Sequence, residues 1–293
     1  RTYEKLYASV LFSWNREKAL QLQRHYPEIE IGGTGWDLEK ELPPDIERMK
    51  PDYDLYTVEQ VAAQIRHGIR SADSTWRKAQ AIVDMGIGFT SRGCFRQCEF
   101  CVVPKKEGAL RQDRSISELL NPRSNVLTLY DNNLTADPYC LDKLQEIKER
   151  GLTVDLSQGI DIRLLTDEQA VALSKVRHLR SIHYAWDLMK YERQVIAGIK
   201  RLSKYIKPYR QMCFVLVGFN ATPEEDMYRI ETLRALGVDP YVMKFNSRKD
   251  KPFLNHFARW ANGRFYKTCS FDEYSPWVKV QAATSREIDM FAS

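Results

Sequence analysis

The sequence predicts a parallel α/β fold preceded by a short α/β segment, and three observations lead there. From residue 82 onward, short β-rich runs alternate with amphipathic runs in six successive units, the pattern of consecutive βα units. Several strand-like runs are almost continuously apolar, as strands are when helices cover both faces of a sheet. The helical runs carry clear start and stop signals. An open doubly wound sheet and a barrel both satisfy this pattern.

The first 80 residues form a segment and connector of their own. Leu6–Trp14 reads as a strand, Arg16–His25 as a helix, and Ile29-Glu30-Ile31-Gly32-Gly33 as a second strand running into glycine. Leu42-Pro43-Pro44, Met49-Lys50-Pro51-Asp52-Tyr53 and Asp54-Leu55-Tyr56 make a loop-rich stretch. A helix near Val58–Arg70 then leads into the main domain. The strands expected there are Ile82–Thr90, Asn125–Asp131, Thr153–Ile160, Leu179–Asp187, Gln211–Phe219 and Asp239–Asn246. Asp137-Pro138 supplies an N-cap with proline at the first helical position, and Gly151 stops that helix after Lys148-Glu149-Arg150. Thr166 with Gln169 reads as a capping box, as does Thr222-Pro223-Glu224-Glu225, whose helix ends at Gly237. Val195, Ile199, Leu202 and Ile206 form one stripe of a helix near 190–206. The expected division is 1–80, a core over 81–247, and an aromatic-rich extension over 248–293.

The chain has 293 residues, 43% of them hydrophobic and 28% charged, which provides for a sizeable core and excludes global disorder. Its net charge of +5 is far short of a nucleic-acid-binding tail. No apolar run reaches the roughly 18 residues of a membrane-spanning helix. The opening Arg1-Thr2-Tyr3-Glu4-Lys5 is not a signal peptide, and a start at arginine points to a piece of a longer chain or to processing. Of six cysteines, three share one loop, while Cys140, Cys213 and Cys269 are scattered and odd in number. That usage argues against a secreted disulfide framework and for a reducing, cytoplasmic setting.

The shared loop is Ser91-Arg92-Gly93-Cys94-Phe95-Arg96-Gln97-Cys98-Glu99-Phe100-Cys101, a C-x3-C-x2-C spacing. Thiolates are the usual protein ligands of iron–sulfur clusters. Three of them leave one iron of a [4Fe–4S] cube free to bind something else. Zinc is the competing reading, but structural zinc wants four Cys or His ligands in paired spacings, and the nearest other cysteine is Cys140. A cluster with only an electron-transfer or structural role is a further alternative.

With Phe100 ahead of Cys101, this loop resembles the signature of the radical S-adenosylmethionine (radical SAM) superfamily. The resemblance implies that SAM chelates the fourth iron of a [4Fe–4S] cluster. One electron then cleaves the sulfonium to give a 5′-deoxyadenosyl radical that acts on substrate. It also implies a partial (β/α)6 TIM-like barrel, the cluster loop following the first strand, and a flavodoxin- or ferredoxin-like electron donor. It covers about residues 82–246. The strand–helix–strand–Gly-Gly order before residue 34 is similar to the end of the cobalamin-binding domain of one subgroup. The Asp-x-His-x-x-Gly pattern is absent and the segment is too short, so cobalamin is not expected.

Sites in parallel α/β folds gather at the C-terminal ends of strands. In Asp131-Asn132-Asn133-Leu134-Thr135 the resemblance implies that Asp131 and Asn132 hold the SAM amino group; an Asn-rich turn is the plainer reading. Arg163 suits the methionine carboxylate through bidentate hydrogen bonds, or is a surface partner of Asp161. The resemblance implies that Asp187 accepts from the ribose hydroxyls; capping the following turn is the competing reading. Gly218 begins a segment ending at Thr222, where the resemblance implies that adenine approaches the backbone. Lys244 faces an anionic substrate or solvent. Lys105, Lys106, Arg111 and Arg114 screen the cluster, bind phosphate or lie in a solvated loop.

In the tail, Phe257, Trp260, Phe265, Tyr266, Phe271, Tyr274 and Trp277 alternate with Arg259, Arg264 and Lys267. They could stack on bases, but covering the barrel edge is favoured. Cys213 and Cys269 are candidates for an auxiliary cluster or a thiyl radical, against ordinary buried cysteines. The expected function is a radical SAM enzyme acting on an unidentified substrate. A non-catalytic iron–sulfur module and a tRNA- or nucleic-acid-modifying enzyme are the alternatives.

Overall fold

A computed structural model describes residues 4–65, 72–245 and 252–275. At the N-terminus β1 (Tyr7–Ser9) and β2 (Glu30–Gly32) pair in parallel across α1 (Arg16–His25). Val10, Ala19, Ile29 and Ile31 give this segment a small core of its own. The connector holds α2 (Pro44–Glu47) and α3 (Val58–Gln64), the latter opened by a capping box between Thr57 and Gln60. Residues 66–70, which complete the expected helix, lie outside the described residues. Tyr53 fastens the connector to the main body: its hydroxyl donates to the Leu119 carbonyl (2.6 Å) and accepts the Ile87 N–H (3.0 Å).

The first strand is shorter than expected. Ile82 and Val83 belong to the end of α4 (Ala72–Asp84), and β3 covers only Gly86–Gly88. Thr75 and Ala79 on the buried face are followed at helical spacing by Ile82 and Val83, and an apolar run of that length suits either structure. After β3 comes a hairpin of β4 (Ser91–Arg92) and β5 (Arg111–Gln112), whose tip carries the three cysteines and α5 (Val103–Lys106).

The chain then runs through α6 (Ile116–Leu119), β6 (Val126–Leu129), α7 (Cys140–Glu149), β7 (Thr153–Leu156), α8 (Asp167–Ser174), β8 (Arg177–His178) and β9 (Ile182–Ala185). It continues through α9 (Glu192–Ser203), β10 (Gln211–Val217), α10 (Pro223–Ala235), β11 (Asp239–Lys244), α11 (Pro252–Asn262) and α12 (Phe271–Tyr274). Both expected capping boxes, at Thr166 and Thr222, are formed. Asp137 caps through its side chain, accepting the Tyr139 N–H at 2.9 Å, although regular helix begins only at Cys140.

Two parallel sheets result, β3-β6-β7-β8 and β9-β10-β11. The run expected as a strand, Leu179–Asp187, is strand only over Ile182–Ala185, and a separate short strand, β8, precedes it. β8 pairs with β7 (Thr153 beside Arg177), while further on the Ile160 N–H donates to the His183 carbonyl (2.8 Å) and Ile160 bridges Tyr184. The sheets therefore meet along the β7–β9 line. Spatial order follows chain order, with helices in the crossovers.

Alternate residues of β10 (Gln211, Cys213, Val215, Val217) are buried, while Met212, Phe214 and Leu216 on the opposite face are half-buried. The strand is thus not equally covered on both faces. Asn246, at the end of the expected last strand, lies outside the described residues.

The C-terminal aromatics belong to the main core. Phe257, Trp260, Tyr266 and Phe271 are buried there, and Trp277 lies outside the described residues. Asn262 closes the free edge of β11: its Oδ1 accepts the Val242 N–H (2.7 Å) and its Nδ2 donates to the Val242 carbonyl (3.1 Å). A side-chain amide thereby takes the place of a neighbouring strand. Those four rings are not available to stack on bases. Among the described residues no helix is long and apolar enough to cross a membrane.

Candidate metal centre

The β4–β5 hairpin presents Cys94, Cys98 and Cys101, all free and half-buried. Gly93 enters the loop at φ +85°, and a Cβ there would lie 2.2 Å from the Ala109 carbonyl oxygen, so only glycine fits. The Cys94 N–H donates to the Gly108 carbonyl (3.1 Å) and the Cys101 N–H to that of Cys98 (2.9 Å). Burial pushes the Cys98 and Cys101 thiols up, and the neighbouring cysteines add to it. Arg163 pulls Cys98 down. Among the described residues no three Cys, His, Asp or Glu side chains converge on a single ion. A cubane takes one thiolate on each of three irons, so three mutually sensing thiols on one loop, with no histidine among them, fit a cluster better than a lone zinc.

The end of β6 grips this loop with three consecutive residues. The buried Asp131 carboxylate accepts the Thr90 N–H (2.7 Å), the Ser91 N–H (3.0 Å) and the hydroxyls of Thr90 and Ser91 (the latter 2.9 Å). Asn132 Oδ1 accepts the Gly93 N–H (2.8 Å). Asn133 Nδ2 donates to Cys94 Sγ (3.3 Å), which also receives the Arg96 N–H (3.5 Å). Asp131 and Asn132, expected to face SAM, are thus engaged within the protein. Asn133 stood in the quoted motif, but nothing local marked it as the partner of a sulfur.

Beside the loop, one carboxylate joins two guanidinium groups. Asp161 accepts from Arg163 Nε (2.7 Å) and Nη2 (2.9 Å) and from Arg96 Nε. Burial raises the Asp161 carboxyl, but the bonds from Arg163 and Arg96 outweigh it and hold the group below the usual carboxylate range. Arg163 also stacks 4.6 Å from the Tyr191 ring centre. Its Nη1 makes no hydrogen bond among the described residues.

Asp187, just past β9, lies close enough to Cys98 and Cys101 to oppose their ionisation. Burial pushes its carboxyl up to about 6 against the pull of Arg229 and Arg163. Arg229 is fully buried and supports this corner, donating to the carbonyls of Trp186 (2.8 Å), Asp187 (2.9 Å) and Leu216 (2.8 Å) and pairing with Asp226. Gly218 has φ +73°, and a Cβ there would meet Leu254 Cδ1 at 2.7 Å; its free side faces α11.

A cleft of about 190 Å³ opens beside Cys98, walled by Phe100, Tyr191 and Phe219 with Arg96, Lys190 and Asn220 at its rim. Other candidates are committed elsewhere. Lys244 Nζ donates to Asn255 (2.6 Å). Lys106 donates to the Leu38 and Lys40 carbonyls (both 2.9 Å), Arg114 to those of Met49 (2.8 Å) and Glu47, and Arg111 to that of Glu107. Lys106 and Arg114 thus staple the loop's flank to the connector. The thiols of Cys213 and Cys269 each approach a local carbonyl at 3.6 Å, that of Phe214 and Phe265 respectively.

No family model matches this sequence, and neither does any curated protein. Among the solved structures that match, two show limited likeness of the following degree. One is Streptococcus suis SuiB bound to precursor peptide SuiA, at 10% identity and TM-score 0.43, over 73% of this chain and 58% of that one. The other is SuiB bound to S-adenosylmethionine, at 12% identity and TM-score 0.42, over 76% and 62%. This chain therefore aligns with about three fifths of the length of each. Likeness of that degree fixes neither family nor function.

Proposed function

We propose that the chain is a radical SAM enzyme whose core is a partial (β/α)6 barrel, the cluster loop lying at the C-terminal rim of its strands. The observation that carries this reading is the C-x3-C-x2-C loop on a fixed hairpin, its first cysteine clamped by β6 and its second beside a polar cleft. When bound, a [4Fe–4S] cluster held by Cys94, Cys98 and Cys101 supplies the electron that cleaves SAM to methionine and a 5′-deoxyadenosyl radical.

The chain's own groups do the positioning. Asp131, Asn132 and Asn133 fix the backbone from Thr90 to Cys94, so that the first ligand cannot wander. Arg163, its plane set by Asp161 and Tyr191, offers Nη1 to a carboxylate. Asp187 offers a carboxylate to hydroxyl donors. Phe100 and Phe219 pack edge to face and supply an apolar wall beside Cys98. Gly218 serves the turn and the packing of α11.

A non-catalytic iron–sulfur module is the second reading, favoured by one observation: Asp131 and Asn132 are consumed inside the protein and leave less to hold a ligand. One experiment separates the two. The protein is reconstituted anaerobically and reduced, and its electron paramagnetic resonance spectrum is recorded with and without SAM. A [4Fe–4S]+ signal that changes with SAM, together with 5′-deoxyadenosine, is the expected result. A cluster indifferent to SAM favours the relay module, and zinc in place of iron overturns both.

A further inference from the structure

A second cleft, of about 260 Å³, lies at the opposite ends of the strands, where β9 and β10 begin. At about 3.3 Å per residue, the seven residues of β10 put it roughly 20 Å from the rim that carries the cysteine loop. Its charged lining is all of one sign: Arg180, Lys207 and Arg210, with no carboxylate among the lining residues. The side chains of Lys207 and Arg210 make no hydrogen bond or ion pair among the described residues. Arg180 has only a distant partner, Asp155 at 3.7 Å, and is itself 68% exposed.

Of these three cations only Arg180 has a counter-charge, and that at 3.7 Å, so the cleft keeps a net positive charge that an anion would relieve. Helix dipoles do not account for them. Lys207 and Arg210 lie beyond Ser203, the last residue of α9, and the dipole's influence fades within the final turn. Two aromatic rings flank the charges: Tyr205 is 43% and Tyr209 67% exposed, high for rings of this size. Cations beside exposed rings match a ligand that carries a phosphate and a planar base.

We propose that this cleft binds a nucleotide, free or within a single strand, with its phosphate between Arg180, Lys207 and Arg210 and its base against Tyr209. The site is independent of the metal centre and stands whatever the cluster does.

The test uses the full chain, with adenosine 5′-monophosphate titrated calorimetrically and a labelled ten-nucleotide RNA followed by anisotropy, both at low salt. Wild-type protein is expected to bind at least one of them. The double variant Lys207→Gln with Arg210→Gln should weaken that binding at least tenfold. Tyr209→Ala should weaken it severalfold while leaving inorganic phosphate binding unchanged. Competition by the mononucleotide identifies a free nucleotide as the ligand, and binding of the RNA alone identifies a strand.

Absence of binding by both probes, or equal affinity in the double variant, would overturn the site. An unchanged Tyr209→Ala affinity would overturn the nucleotide assignment. Thermal midpoints recorded with and without phosphate keep the test independent of folding. The wild-type midpoint should rise with phosphate, and the double variant's should not.

Discussion

Replacing Asp131 by asparagine changes one oxygen to an amide nitrogen and leaves the volume almost untouched. Oδ1 accepts the Thr90 N–H, and Oδ2 accepts the Ser91 N–H and both hydroxyls. The hydroxyls can rotate to accept from a new NH2 group, but the backbone N–H groups cannot. Whichever way the amide turns, one buried backbone donor faces another donor. A stranded donor costs about 1–3 kcal/mol, and a hydrogen bond to a charged acceptor contributes roughly 1.5–3 kcal/mol. Because the other bonds survive in weakened form, Asp131→Asn is expected to destabilise the cluster-free protein by about 2–4 kcal/mol. Urea unfolding measures this as a lower midpoint at constant slope. A cycle with Ser91→Ala should show coupling of about 1 kcal/mol or more. A variant within about 0.5 kcal/mol of wild type that loses its response to SAM would refute the anchoring role and return the carboxylate to the ligand.

Three further outcomes are expected. Asn133→Ala removes an N–H from Cys94 Sγ, and hydrogen bonds to sulfur favour the more negative, reduced cluster. About 0.5–1.5 kcal/mol of lost bonding corresponds to a potential lower by roughly 20–60 mV; a redox titration followed by paramagnetic resonance that finds no shift, or a rise, contradicts it. Burial pushes the Asp187 carboxyl up to about 6 from the ordinary aspartate value of about 3.9, so the folded state binds more protons between those values and stability falls as pH rises through them. The fall is at most about 3 kcal/mol, and Asp187→Asn should flatten this part of the cluster-free protein's stability–pH curve; an unaltered curve would count against the burial argument. Gly218→Ala meets both positive φ and Leu254 and should cost about 1–3 kcal/mol. The loss should shrink in a Leu254→Ala background, and equal losses in both backgrounds would show that the contact is irrelevant.

What the sequence makes legible is local. Thr166 with Gln169 and Thr222 with Glu225 form their capping boxes because every partner lies within one helical turn. The stripe Val195, Ile199 and Leu202 is buried because periodicity alone orients a helix. The cysteine spacing marks the site for the same reason. The start of β3 was misplaced because Ile82 and Val83 serve a helix as well as a strand. The break between β8 and β9 depends on what β7 offers at each level, which no neighbour in the chain records.

The role of Asp131 was illegible because its partners stand some 40 residues away, and a carboxylate after a strand looks alike whether it faces a ligand or a backbone. Arg229 is the extreme case. A charged residue within α10 gives no hint that it ends fully buried, tying the carbonyls of two strands together.

Residues 131–133 meet residues 90–94 in order, Asp131 with Thr90 and Ser91, Asn132 with Gly93 and Asn133 with Cys94, like the teeth of two meshed racks. A residue inserted or deleted in either segment would shift every later pairing by one tooth. The apex of the hairpin, beyond the mesh, is held instead by the Arg96–Asp161 pair. Transplanting this centre into another scaffold would therefore require two separate pieces of chain at a fixed offset. The cysteine-bearing segment alone would arrive without the rack that holds it.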